Sequence, residues 1–230
     1  MHRAVLATYL VLCVSFTSAQ VQTVNGRIKI TIGTTSGCGD TVRFITGLVP
    51  VYEKYKQFLD IEFVPWGRTQ RTENGLVCQF NEADCWANRL HRCALDMLKG
   101  NQDAQVGYMA CEFAPPYPSF LQQSVQCASA AGLSLIDVDY CMSNSGDALE
   151  GPAEEISREP ISIINFVPFI MFNGVIDVAQ HTQALQRLET IYFHALQKFY
   201  LKFLQPCLNG SSVWHARISQ ILLLFWNIRQ

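Results

Sequence analysis

The chain has 230 residues, of which 49% are hydrophobic and 16% charged, with 17 Lys and Arg against 19 Asp and Glu. This length and apolar content suit one globular domain with a sizeable core and leave room for an insertion. The net charge of −2 argues against nucleic acid as a main partner, because phosphate binding depends on basic side chains.

The first 19 residues have the pattern of a secretory signal peptide. A weakly basic start precedes an apolar run from Ala4 to Phe16, and Thr17-Ser18-Ala19 supplies small residues for cleavage. The run is too short for an ordinary membrane-spanning helix. We therefore expect the mature protein to enter the secretory pathway with no transmembrane span.

The chain contains nine cysteines, and Cys13 is removed with the signal peptide. In a secreted protein this density indicates disulfide bonds, although the count leaves the pairing open. Seven cysteines are candidates for structural disulfides: Cys78, Cys85, Cys93, Cys111, Cys127, Cys141 and Cys207. The spacing of the first three lacks the short pairs of zinc ligands, so we expect no metal and no other cofactor.

The first predicted strand and helix meet at a Gly-rich turn. Ile28, Ile30 and Ile32 alternate with polar residues, as in a strand with one buried face. Residues Thr41 to Leu59 then have helical spacing, and Pro50 is expected to kink or break that helix.

Cys38 lies within this turn, Ser36-Gly37-Cys38-Gly39-Asp40-Thr41, at the predicted start of the helix. A helix N-terminus presents unpaired N–H groups and partial positive charge, which favour a reactive thiolate. Arg43 adds to this effect, whereas Asp40 opposes it. Cys38 is therefore the candidate nucleophile. The alternative is one more structural half-cystine, since the mature cysteines are even in number.

A second strand, Leu59 to Pro65, is expected to pair parallel to the first, with the helix as crossover. Asn74-Gly75 is a hairpin turn signal. From Cys78 to about Gly151 the strand pattern disappears. Predicted helices there are Cys85 to Lys99, Ser119 to Ala131 and a short one near Leu149.

The strand pattern returns at Ile161–Ile164 and continues through Phe166–Phe172, followed by a two-residue turn, Asn173-Gly174, and a return strand at Val175-Ile176. Residues His181 to Leu204 form the strongest predicted helix. The order β-α-β, insertion, β-β-α predicts an α/β protein with a thioredoxin-like fold and a disulfide-stapled helical insertion.

The predicted division follows from this order. Residues 27–77 and 160–208 form the thioredoxin-like domain, residues 78–159 the cysteine-rich helical insertion, and residues 209–230 a tail. Asn209-Gly210-Ser211 is a glycosylation sequon. The apolar stretch Ile218–Ile228 is too short to span a bilayer, so a helix packed on the domain is preferred over a lipid-anchor signal.

The most specific stretch runs from Cys78 to Cys93. It resembles the signature of the gamma-interferon-inducible lysosomal thiol reductase family, Cys-Gln-His-Gly, two residues, Glu-Cys, two residues, Asn, four residues, Cys. The three cysteines, Gln79 and Asn88 match. Phe80 and Asn81 replace His-Gly, and Asp84 replaces Glu. Further similar segments are Val64–Gly67, Tyr140–Leu149 and Val167–Gly174.

The resemblance implies a lysosomal or extracellular enzyme that reduces disulfides of protein substrates. It places the nucleophile of a Cys-x-x-Cys site at Cys38, but Thr41 stands at the resolving position. It also implies that Pro168 is cis and faces the nucleophile. Thr41 cannot release a mixed disulfide, although its hydroxyl can donate a hydrogen bond to the thiolate. A small thiol, cysteine or glutathione, is then the expected reductant.

Two function classes follow. The first is a thiol-disulfide oxidoreductase that reduces or isomerises protein disulfides through one cysteine, weakened by loss of the second. The second is a non-catalytic thioredoxin-fold relative that acts as a protein-binding module. A Cys-His protease pair is disfavoured because no His lies near Cys38 in sequence. We expect a monomer or small oligomer.

Overall fold

The structure is a computed structural model that describes residues 23–190. The predicted signal peptide, Cys207, Asn209 and the apolar tail lie outside these residues. Within them, no helix combines the length and the apolar character that crossing a bilayer requires.

Three strands form the main sheet: β1 (Ile28–Thr34), β2 (Leu59–Pro65) and β5 (Phe169–Phe172). Their order is β2-β1-β5, with β1 parallel to β2 and antiparallel to β5. Ile28, Ile30 and Ile32 of β1 are fully buried. The predicted strand and its parallel pairing are confirmed, but Lys29 is the one exposed residue of β1, so the strand is buried on both faces rather than on one. Cys38 lies just beyond the carboxyl end of this central strand.

Helix α1 (Gly39–Tyr55) is the crossover between the parallel strands, and a 3-10 turn, Lys56–Phe58, completes the return to β2. The helix continues through Pro50, so of the two expected effects, a kink or a break, the break was wrong. Proline removes one N–H donor from a helix. The buried face of α1, which includes Leu48 and Tyr52, belongs to the main core and holds the helix together around that loss.

A short hairpin follows β2, formed by β3 (Gln70–Thr72) and β4 (Gly75–Val77). Thr72 pairs with Gly75, so the turn residues are Glu73 and Asn74. The predicted hairpin is confirmed, but its turn lies one residue earlier than expected, because Gly75 uses its positive φ of 108° to open the second strand.

The segment between the hairpin and β5 is helical. Its helices are α2 (Asn81–Met97), α3 (Gln102–Glu112), α4 (Pro118–Gln122), α5 (Gln126–Ala130), α6 (Leu135–Ser143), a 3-10 turn (Ser145–Leu149) and α7 (Glu150–Ile164). The described helices and sheet establish the predicted thioredoxin-like α/β class with a disulfide-stapled helical part.

The predicted strand at Ile161–Ile164 was wrong, because these residues form the last turn of α7. Ile161 and Ile164 are half-buried whereas Ile163 is exposed, a three-residue spacing that suits a helix rather than a strand. Helix α7 thus runs across the boundary predicted between residues 159 and 160, and the division into domains stays a prediction.

Helix α3 fastens the helical segment to the outer strand β2. Gln102 accepts a hydrogen bond from Ile61 N (2.6 Å) and donates one to Leu59 O (3.2 Å). Tyr52 of α1 donates to the neighbouring Asp103 (2.6 Å). These contacts satisfy backbone groups that an edge strand otherwise leaves unpaired.

The chain leaves β5 through a tight turn. Asn173 and Gly174 both have positive φ, 53° and 73°, and Val175 N donates to Phe172 O at 3.0 Å, as a two-residue hairpin turn requires. The predicted turn is confirmed, but the return strand is reduced to one bridge between Phe172 and Val175. Residues 178–190 are helical, and the remainder of the predicted helix lies outside the described residues.

Candidate active site

Cys38 is a free cysteine and the N-cap residue of α1. Its side chain is only 7% exposed, and its Sγ donates to the carbonyl oxygen of Val167 at 3.4 Å. A carbonyl oxygen accepts a hydrogen bond from a thiol but offers none to a thiolate. The sulfur must therefore leave this contact when it becomes an attacking thiolate.

The segment that faces Cys38 is the one that leads into β5. The Val167–Pro168 peptide bond is cis, and Asn165, with a positive φ of 51°, ends α7 just before it. The structure thus brings together Cys38 and the Val167-Pro168 pair, which lie about 130 residues apart in sequence and which the sequence analysis assigned to one site.

Thr41, at the predicted resolving position, occupies the first turn of α1 and is fully buried. Its Oγ1 has no hydrogen-bond partner within residues 23–190. Thr41 therefore makes no hydrogen bond to the Cys38 sulfur in this structure, in which that sulfur is a thiol hydrogen-bonded to Val167. A bond from Thr41 to a Cys38 thiolate stays a prediction, and the position supplies no second sulfur.

Asp40 and Arg43, which were expected to act on Cys38 in opposite directions, form an ion pair with each other. Their side chains are 2.7 Å apart on the outer surface of the first turns of α1. Exposed pairs of this kind are screened by water. The two charges are thus paired with each other, and the contact of the Cys38 sulfur is with Val167.

The loop before Cys38 is held by side chains of α2. Asp84 accepts hydrogen bonds from the Thr35 hydroxyl (2.7 Å), the Ser36 hydroxyl (2.6 Å) and the Gly37 N–H (3.1 Å). Asn88 accepts from the Ser36 N–H (2.9 Å) and donates to the Thr35 hydroxyl (3.0 Å). Both residues belong to the sequence signature, but their contacts with this loop were not predicted.

The same helix holds the end of the neighbouring strand. Arg92 donates to Pro65 O at 2.7 Å, and its guanidinium lies 5.5 Å from the centre of the Trp66 ring. Burial lowers the pKa of Arg92 to about 10, although Glu150 beside it acts in the opposite direction. The Trp66 N–H donates to Thr34 O. Helix α2 therefore fixes the carboxyl ends of both parallel strands.

Six of the seven candidate structural cysteines form disulfides. The pairs are Cys78–Cys85, Cys93–Cys141 and Cys111–Cys127, and the seventh, Cys207, lies outside the described residues. Within the described part of the chain, no group of three or more His, Cys, Asp or Glu side chains is arranged to hold a metal ion.

Comparisons with known proteins give the same family as the signature. The model of the family "Gamma interferon inducible lysosomal thiol reductase (GILT)" matches residues 29–131. A "Gamma-interferon-inducible lysosomal thiol reductase-like protein" of Anopheles gambiae is 27% identical over 181 residues, 70% of this chain and 72% of the relative. "GILT-like protein 1" of Drosophila melanogaster is 24% identical over 169 residues, 66% and 68% of the two chains. Together they support the GILT family for this chain.

Among solved structures, the oxidised DsbA of Mycobacterium tuberculosis is 17% identical, with a TM-score of 0.46, over 79% of this chain and 96% of that one. The reduced DsbG of the same organism is 16% identical, with a TM-score of 0.47, over 78% and 90%.

Proposed function

We propose that this protein is a thiol-disulfide oxidoreductase of the secretory pathway, lysosomal or extracellular, that reduces or isomerises protein disulfides through Cys38 alone. The observation that carries the proposal is a free, partly shielded cysteine at a helix N-terminus, in contact with the carbonyl of Val167 next to cis Pro168. Further support comes from the GILT family model over residues 29–131 and from the names of the two relatives.

The first step is attack by the Cys38 thiolate on one sulfur of a substrate disulfide. A mixed disulfide forms between Cys38 and that sulfur, while the other sulfur leaves as a thiolate and takes up a proton. The groups available to favour the attacking thiolate are the free N–H groups and partial positive charge at the start of α1. Val167 and Pro168 lie beside the sulfur, where the backbone of a substrate can dock.

The second step needs a thiol from outside the site, because Thr41 has none. One small thiol, cysteine or glutathione, displaces the substrate from Cys38 and leaves its own sulfur there. A second thiol then releases Cys38 and forms the small-molecule disulfide, so that two thiols supply the two electrons. Alternatively, another cysteine of the substrate attacks the mixed disulfide, and the net result is isomerisation without a reductant.

The decisive experiment measures turnover of a disulfide-linked fluorescent peptide between pH 5 and 7, with and without added cysteine. We expect turnover only with the small thiol, no turnover for Cys38→Ser, and faster, less thiol-dependent turnover for Thr41→Cys. Cys207→Ser is the control for the loss of a cysteine elsewhere in the chain. Full activity of Cys38→Ser would remove the proposal.

A second candidate, a non-catalytic protein-binding module, is favoured by one observation. Cys38 is largely buried and hydrogen-bonded as a thiol, while the resolving position is Thr41. Alkylation of the native protein with iodoacetamide at pH 5 to 6, followed by mass mapping of the Cys38 peptide, separates the two candidates. Rapid labelling of Cys38 supports the enzyme, and an inert Cys38 supports the binding module.

A further inference from the structure

The loop Thr35–Gly37 connects the central strand to Cys38, and its conformation sets the direction of the Cys38 side chain. We propose that Asp84 and Asn88 of α2 are positioning residues that clamp this loop and so hold the Cys38 sulfur against Val167 and Pro168. The inference deepens the proposed function and rests on it, because it takes Cys38 as the reacting residue.

The two clamp residues lie four positions apart on α2 and therefore on one face of the helix. This face points toward the end of β1, where each of the three loop residues contacts Asp84 or Asn88. Consecutive N–H groups, those of Ser36 and Gly37, donate to different clamp residues. Successive peptide planes are thus fixed separately, which leaves the loop little freedom to rotate just before Cys38.

The burial of the clamp makes the contacts mutually dependent. Asp84 is 0% exposed and Asn88 is 1% exposed, and a carboxylate removed from water is costly unless donors surround it. Most of the donors that surround Asp84 come from the loop; a further one is the Phe80 N–H, at 3.3 Å. If the loop moved away, this carboxylate would lose most of its partners, so the clamped conformation is strongly preferred.

Helix α1, which begins after Cys38, does not hold the Cys38 side chain through a capping hydrogen bond of its own. Cys38, the N-cap residue of α1, makes no side-chain capping hydrogen bond. The backbone turn from Cys38 N to Thr35 O is long, at 3.3 Å. The start of α1 is therefore located from outside, by α2. The disulfide between Cys78 and Cys85 closes the segment that contains Phe80 and Asp84, which keeps the clamp itself in place.

The test compares Asp84→Asn, which keeps the shape but replaces one acceptor oxygen by a donor, with Asp84→Glu, which keeps the carboxylate. Glu82→Gln is the matched control, since Glu82 lies on the exposed side of the same helix. Two rates are measured on the full chain, both on the mapped Cys38 peptide. One is single-turnover exchange with the disulfide-linked peptide, and the other is alkylation by iodoacetamide, a small reagent that needs no particular approach.

For Asp84→Asn we expect exchange to slow by about tenfold or more, because small displacements of a reacting group have large effects on rate. Alkylation should accelerate, because Cys38 becomes more accessible. Asp84→Glu should lie between this variant and the wild type, and Glu82→Gln should change neither rate. If exchange and alkylation in Asp84→Asn both keep their wild-type rates, Asp84 has only a structural role. If both rates rise, its role is purely electrostatic. Either outcome overturns the proposal, as does a fall in both.

If Asp84→Asn does not fold, Thr35→Val takes its place, because it removes a hydroxyl that contacts both clamp residues. Its control is Thr46→Val, which removes an exposed hydroxyl bonded within α1. The exchange rate and the alkylation rate are measured again, and we again expect slower exchange and faster alkylation than in the wild type. If the wild type shows no exchange at all, the proposed function fails. The clamp is then judged by alkylation alone, which must accelerate in the variants and not in their controls.

Discussion

Gly37 is a residue of the loop before Cys38 at which the packing leaves no room for a side chain. A Cβ added there would lie 2.6 Å from the Cβ of Phe80, whereas a Cβ added to Gly39 would meet nothing within 4 Å. Overpacking of this kind costs about 1 to 3 kcal/mol when the neighbours must shift. Since Phe80 follows Cys78 in a disulfide-closed segment, relief requires backbone movement of the loop or of that segment.

We therefore expect Gly37→Ala to lower the free energy of unfolding by about 1 to 3 kcal/mol and to slow disulfide exchange. Gly39→Ala, two residues away, should retain the wild-type stability. Urea unfolding at 25 °C gives the first quantity, and single-turnover exchange gives the second. Equal stability and rate in the two variants would show that the loop accommodates a methyl group and that Phe80 does not restrain it.

At this scale the sequence predicted that Cys38 lies against the Val167-Pro168 segment, as the structure has it, but not which residues support the loop before Cys38. Cys38 and Pro168 were assigned to one site, since a strand-to-helix turn and a family resemblance are both visible in the chain. The contacts of Asp84 and Asn88 were not foreseen, because buried polar residues are hidden in a hydrophobic pattern. The available signal was their spacing of four within the signature, but the predicted helix, Cys85 to Lys99, began one residue after Asp84, whereas α2 begins at Asn81.

Among the elements, those specified by local pattern were predicted well. The strand β1, the bounds of β2 and the Asn173-Gly174 turn follow from residue type and period, although β1 is buried on both faces rather than on the one expected. The errors occur where tertiary packing overrides local preference. Helix α1 tolerates Pro50, and α7 tolerates Pro160 in its interior, so the Ile-rich end of α7 was mistaken for a strand.

The pairing between β5 and the following helical segment depends on a buried histidine. The Ile170 N–H donates to His181 Nδ1 at 3.3 Å, and burial lowers the pKa of His181. The folded protein therefore takes up this proton less readily than the unfolded chain. Stability is fully present above the ordinary histidine pKa of about 6.5 and declines as the pH falls through the lower pKa of the folded state.

We expect the free energy of unfolding to fall from pH 7.5 to pH 5, at no more than about 1.4 kcal/mol per pH unit from this residue. His181→Gln, which keeps an acceptor but does not titrate, should show a smaller decline. The pH range from 7.5 to 5 lies above the range in which the Glu112 carboxyl titrates. Burial raises the pKa of that carboxyl, but hydrogen bonds, above all from His91, outweigh the effect and lower it. Equal slopes for wild type and variant would contradict the assignment to His181.

At the scale of the molecule, two of the three disulfides in the described residues 23–190 join one helix to another. Cys93–Cys141 joins α2 to α6, and Cys111–Cys127 joins α3 to α5, whereas Cys78–Cys85 ties the end of the hairpin to the first turns of α2. The sequence indicated that disulfides were present but not this connectivity, because pairing depends on where helices pack and a count of cysteines contains no such information.

The disulfides should therefore differ in what their removal changes. Chain-entropy arguments give about 4 kcal/mol for Cys93–Cys141, separated by 48 residues, and about 2.5 kcal/mol for Cys78–Cys85, separated by 7. We expect the double variant Cys93→Ala/Cys141→Ala to lose more unfolding free energy in urea than Cys78→Ala/Cys85→Ala.

The rate of Cys38 alkylation should follow the opposite order, because only the short disulfide closes the segment that carries Asp84. Removing Cys78–Cys85 is expected to accelerate alkylation under conditions in which the protein remains folded, while removing Cys93–Cys141 should not. We thus assign the larger contribution to stability to Cys93–Cys141 and the restraint on Cys38 reactivity to Cys78–Cys85. A single variant that dominated both measurements would show that the active-site loop is sensitive only to global unfolding, and that α2 transmits no local restraint to Cys38.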